Sequence, residues 1–128
     1  PVGVSPKAIA AMQEELSQLH RYPDPSSFEL RGYLSQKWNL PAENILIGNG
    51  SNELIDLLIR VYCEPGDKVI VPEKSFIAYS ICSQAARVQV LKTRVDSGLK
   101  IDVDHLVESL KTSAFGKAKI LFLANPNN

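Results

Sequence analysis

From residue 45 to residue 124, short apolar runs alternate with longer stretches in which apolar residues recur every three or four positions. The first period is that of a buried strand and the second that of a helix with one apolar face. Ile45-Leu46-Ile47-Gly48 is the first short run, which predicts a strand over 45–48. A helix follows, with Leu54, Leu57, Leu58, Val61 and Tyr62 as its apolar stripe. Glu64-Pro65-Gly66-Asp67 closes it with turn residues. Lys68-Val69-Ile70-Val71-Pro72 is the next strand, after which Ser75 caps a helix reaching about Ala86, with Phe76, Tyr79 and Cys82 spaced by three. A strand from Arg87 to Thr93, the turn Asp96-Ser97-Gly98, a helix capped by Asp102 with Val103, Leu106, Val107 and Leu110, and a last strand from Ala118 to Ala124 complete the series.

The first 44 residues have a different texture. Ser5-Pro6 is a helix start, with serine as N-cap and proline in the first turn, and Ile9, Met12, Leu16 and Leu19 share a face up to about His20. The two prolines of Arg21-Tyr22-Pro23-Asp24-Pro25-Ser26 break that helix and leave Tyr22 in an exposed loop. A second helix over 27–38 carries Leu30, Leu34 and Trp38, with Tyr33 beside them, and stops at Asn39-Leu40-Pro41. The pattern divides the chain into an N-terminal helical part, 1–44, and an alternating part, 45–128. Strand and helix in alternation predict an α/β fold in three layers, a mostly parallel sheet with helices on both faces.

Composition adds exclusions. The chain has 128 residues, 45% hydrophobic and 22% charged, which suits a globular domain with a real core. Lys+Arg and Asp+Glu are equal at 14 each, so the electrostatic footprint of a nucleic-acid binder is missing. Cys63 and Cys82 lack metal or redox spacing and sit in helical patterns, which reads as buried free thiols. No metal site is expected. No apolar stretch is long enough to span a membrane and no signal segment opens the chain, so a cytoplasmic protein is expected.

Candidate chemistry collects where parallel sheets bind ligands, beyond the carboxyl ends of the strands. Three stretches fall there: 48–53, 73–79 and 125–128. In Gly48-Asn49-Gly50-Ser51-Asn52-Glu53, the glycines allow positive φ and close backbone approach, and the residues after them open a helix with free N–H groups. Such an end attracts phosphate; it also suits plain loop chemistry. Phe76 or Tyr79 offers an aromatic face, with core packing as the ordinary alternative. The amide of Asn128 suits a ligand oxygen. His20 and His105 have no nucleophile beside them and read as surface histidines.

The motifs Arg21-Tyr22-Pro23-Asp24-Pro25, Leu30-Arg31, Gly48-Asn49-Gly50-Ser51-Asn52-Glu53, Pro65-Gly66-Asp67, Ser75-Phe76 with Tyr79, and Asn125-Pro126-Asn127-Asn128 follow one another as in a known family. The chain resembles the pyridoxal-phosphate aminotransferases of fold type I, nearest their histidinol-phosphate branch. The resemblance implies the large domain of that fold and a pyridoxal 5'-phosphate cofactor. It also implies transfer of an amino group between histidinol phosphate and 2-oxoglutarate in histidine biosynthesis. It assigns Ser51 and Asn52, with Glu53 behind them, to the cofactor phosphate, Phe76 to stacking on the pyridine ring, and Asn128 to the ring oxygen. Tyr22 would reach the cofactor phosphate of a partner subunit in a homodimer. Phe76 stands where relatives often have tyrosine, and Asn52 where they commonly have aspartate.

The same resemblance puts the Schiff-base lysine, the aspartate for the pyridinium nitrogen and the substrate arginines beyond Asn128. Residues 1–128 therefore read as less than half of a longer chain, without transaminase activity alone and with no catalytic residue of its own. The strand over 45–48 would lack the neighbours that separate it from the other strands, so an oligomer or a rearranged sheet is expected rather than a faithful isolated piece. Threonine-phosphate decarboxylase, a broader amino-acid aminotransferase and a non-catalytic module binding a phosphorylated ligand or partner remain alternatives.

Overall fold

The computed structural model describes residues 3–112 and 114–125, which fall into two compact units, Pro1–Ile47 and Gly48–Asn128. In the first unit, α1 (Pro6–Glu15) runs into a 3-10 turn (Leu16–Gln18), and α2 (Phe28–Trp38) follows the proline-rich loop. Neither helix buries a residue completely, so the Ile9, Met12, Leu16 and Leu19 stripe is present but largely exposed. The loop has its own organiser. One carboxylate oxygen of Asp24 accepts the Ser26 N–H at 2.9 Å and the other accepts the Phe28 N–H at 2.8 Å, which supplies α2 with the cap that Ser27 does not provide. These bonds hold the Asp24 carboxyl below its ordinary pKa. Arg31 donates from Nε and Nη2 to the Ala42 carbonyl at 3.1 and 2.6 Å, tying α2 to the turn after it.

The second unit contains α3 (Gly50–Tyr62), β1 (Lys68–Pro72), α4 (Ala78–Ala85), β2 (Gln89–Thr93), α5 (Val103–Leu110) and β3 (Ile120–Leu121). The strands form a parallel sheet in the order β2-β1-β3, with Val69 opposite both Val90 and Ile120. Being central, β1 is buried from Val69 through Pro72, as a strand covered on both faces must be. Right-handed crossovers account for the layers: the chain moves outward from β1 to β2 through α4 and back past β1 to β3 through α5, which puts α4 and α5 on opposite faces. One face packs Val69 and Val71 against Ile55 and Ile59 of α3 and Ala78 of α4, with Val88 and Phe122 completing the cluster. The three-layer α/β arrangement read from the sequence is the one observed.

Several boundaries and faces differ from the sequence reading. Residues 45–48 are not a strand: the chain is extended at Ile45, but no ladder partner exists for the segment among the described residues. A strand needs a neighbour to take its N–H and C=O groups, and apolar alternation cannot supply one. On α3 the buried face is Ile55 and Ile59, at 7% and 0% exposure, whereas Leu57, Leu58, Val61 and Tyr62 are exposed. That helix is apolar on more than one side, and the sheet selects the side. α4 begins at Ala78, not at Ser75, because residues 73–77 carry the chain off the sheet; the Glu73 N–H still bonds the Thr93 carbonyl at 2.9 Å. β2 starts at Gln89 because Arg87 takes a left-handed φ of 59° in the turn before it. β3 keeps two residues of the expected seven, flanked by the bonds Lys119 N–H to Lys68 O and Phe122 N–H to Ile70 O. On α5 only Leu106 and Ser109 are buried.

Candidate functional site

The carboxyl edge of the sheet is where the second unit gathers its candidate groups. Because α3 runs down into the turn that starts β1, its first turn lies at the same edge as the end of β1; α4 and α5 begin there too. α3 packs on α4, so the two helix starts are neighbours in the layer covering one face.

The turn over 48–50 is shaped by its glycines in two different ways. Gly50 has φ +74°, a conformation that favours glycine, and donates its N–H to the Gly48 carbonyl at 2.8 Å. Gly48 does not take a positive φ, contrary to expectation. Its lack of a side chain makes room instead: a Cβ there would lie 2.9 Å from Glu53 Oε2 and 2.9 Å from Leu54 Cδ2. Glu53 uses that room to reach back and accept the Asn49 N–H at 2.5 Å. The sequence reading missed this bond. Its signal was an acid in the first helical turn, set four residues after the N-cap rather than the three of a capping box. Ser51 and Asn52 follow on the exposed first turn, and their N–H groups have no acceptor among the described residues. Open N–H groups at a helix start, with a glycine for close approach, fit an anion such as a phosphate ester.

Phe76 precedes α4 and is half-buried. Its ring meets Tyr79 edge to face at 5.8 Å, and Tyr79 stacks on Phe122 at 4.5 Å with planes 17° apart. Core packing and an available ring therefore coexist at this residue. Ser75, expected as a cap, has a buried Oγ with no hydrogen-bond partner among the described residues. It lines an open cavity of about 930 Å³ at the ends of β1 and β3, which also takes in Glu73, Lys74, Leu123, Ala124, Asn125 and the turn over 98–101. None of Ser51, Asn52, Glu53 or Phe76 lines that cavity. Tyr22 belongs to the first unit and is 94% exposed. Asn128 lies outside the described residues.

Two expectations about titratable groups are sharpened. His105 is not a surface histidine: it is half-buried on α5, with Nδ1 3.4 Å from Thr93 Oγ1 and 3.5 Å from Ser109 Oγ. Cys63 and Cys82 are free thiols, but Cys63 sits at the C-cap of α3 in extended conformation rather than inside the helix. Burial, and secondarily Asp67, push the Cys63 thiol above its ordinary pKa, with Lys119 opposing. No cluster of His, Cys, Asp and Glu suited to a metal ion exists among the described residues. No helix among them is long and apolar enough to cross a membrane.

The sequence model of the aminotransferase class I and II family matches residues 1–128. The chain belongs to that family. Among curated class I and II relatives, it is 44% identical over 128 residues to a histidinol-phosphate aminotransferase of Symbiobacterium thermophilum, covering 100% of this chain and 34% of the relative. It is 40% identical, with the same coverage, to one of Bdellovibrio bacteriovorus. The chain thus spans about a third of the length of these relatives. The structure is also similar to that of histidinol-phosphate aminotransferase from Sinorhizobium meliloti, solved in complex with pyridoxal-5'-phosphate, at a TM-score of 0.89 and 21% identity. That match covers 98% of this chain and 33% of that one. It shows that this chain has the fold of that part of the aminotransferase.

Proposed function

We propose that residues 1–128 are the first third of a pyridoxal-phosphate-dependent aminotransferase that moves an amino group between histidinol phosphate and 2-oxoglutarate. Residues 1–44 form its N-terminal helices and loop, and 45–128 the first part of its cofactor-binding domain. The observation that carries the reading is the 40–44% identity to histidinol-phosphate aminotransferases over all 128 residues. The first turn of α3 supports it, with open N–H groups where a cofactor phosphate needs them.

When bound, pyridoxal phosphate supplies an electron sink for amino-group transfer. This chain's residues bind and orient it. Ser51 and Asn52 hold the phosphate through main-chain N–H groups and the Ser51 hydroxyl; Asn52 in place of the usual aspartate matters little for a main-chain contact. Phe76 would stack on the pyridine ring, while its own ring is held in edge-to-face contact with Tyr79. Asn128 bonds the ring oxygen, and Tyr22 reaches a partner subunit's phosphate in a cytoplasmic homodimer. The reactive lysine lies in the rest of the protein.

The test is on the full-length protein. Purified enzyme is expected to show an absorbance band from bound pyridoxal phosphate that borohydride abolishes, and to turn over histidinol phosphate with 2-oxoglutarate. A protein that never acquires the band refutes the cofactor assignment. A band without turnover of this substrate pair refutes the substrate assignment alone.

A further inference from the structure

We infer that Glu53 is a positioning residue: it latches the Asn49 N–H and so fixes the turn that presents Ser51 and Asn52, without itself touching the phosphate. The inference rests on the proposed cofactor reading and assigns a mechanism to its phosphate cup.

The geometry separates two classes of group at the start of α3. The Ser51 and Asn52 N–H groups are exposed and without acceptors among the described residues. The Asn49 N–H, one residue before the helix, is taken by Glu53 Oε2 at 2.5 Å. A carboxylate bonded in this way is an anion at the helix end that would receive another anion, so direct coordination of a phosphate by Glu53 is electrostatically disfavoured. Its favourable place is where it is found, satisfying an orphan donor at the helix start. Without it, the turn has only the Gly50 N–H to Gly48 O bond to close it.

Gly48 belongs to the same device. A Cβ at 48 would lie 2.9 Å from both Glu53 Oε2 and Leu54 Cδ2, the tips of flexible side chains. An alanine there is accommodated by moving them, and moving Oε2 breaks the bond to Asn49. Gly48→Ala and Glu53→Ala thus remove one interaction by different routes, and coupled changes of that kind do not add.

The experiment uses the full-length protein and reads two quantities. In the apo form, hydrogen exchange at the Asn49 amide is expected to be slow in the wild type and in Glu53→Gln, whose carboxamide oxygen also accepts, and fast in Glu53→Ala and Gly48→Ala. By titration, the dissociation constant for pyridoxal phosphate is expected to rise about tenfold in Glu53→Ala, to stay within about twofold in Glu53→Gln, and to rise no further when Gly48→Ala is added to Glu53→Ala. Thermal midpoints of all variants identify any that fail to fold. Wild-type affinity in Glu53→Ala overturns the latch and leaves the cofactor reading intact. A Glu53→Gln variant as weak as Glu53→Ala means that charge at the site, and not the bond to Asn49, is what matters, and also overturns it. Failure of the wild type to bind pyridoxal phosphate overturns the cofactor reading, and the latch with it.

Discussion

Single residues in this chain acquire their roles from how the fold places the groups around them. Cys63 is a plain example. Burial at the end of α3, with nearby Asp67 adding to it and Lys119 opposing, pushes the thiol above its ordinary pKa. The folded pKa therefore lies above the ordinary 9.0. A raised value means that the stabilising contribution is complete below the unfolded pKa and is lost as pH rises through the folded one. Native alkylation of Cys63, in a Cys82→Ala background of the full-length protein, should show a midpoint above pH 9.0. A midpoint at or below that value contradicts the burial argument. Gly48 makes the same point without charge: the sequence marks it as a flexible glycine, but its use is the space it leaves for Glu53.

At the scale of elements, local signals performed well where the chemistry is local. Asp102 was legible as an N-cap, and its carboxylate does accept the His105 N–H at 2.9 Å at the start of α5. Replacing Asp102 by alanine should lower stability by about 1 kcal/mol, read by urea unfolding of the full-length protein. Asparagine should recover most of the loss; an unchanged midpoint in the alanine variant would show that the cap is redundant. Ser75 looked equally good as a cap and is not one, because the chain needs 73–77 to leave β1 before a helix can form. Strand 45–48 failed for a related reason. Its apolar pattern is real, but a strand is a relation between two segments, and no described segment pairs with it.

At the scale of the molecule, exposure is the main consequence. Large apolar residues of both units face outward, among them Leu19 at 75%, Phe28 at 77% and Val61 at 72%. Among the described residues, β2 and β3 are the edges of the sheet. Patches and edges of this kind invite association. The 128-residue chain expressed alone is expected to self-associate with rising concentration in sedimentation experiments and to show no transaminase turnover. A strictly monomeric species, or measurable turnover, contradicts the corresponding half of that expectation.

The sequence by itself determined the order and type of the elements in 50–124, the parallel α/β class, the cap at Asp102, and the motifs that mark the family. These follow from periodicity and turn chemistry, which act over a few residues. Only the tertiary structure decided which side of α3 is buried, that 45–48 has no partner among the described residues, and that His105 is half-buried against Thr93. Each of those depends on what another element brings to the same place, and burial, pairing and close approach are properties of the pair.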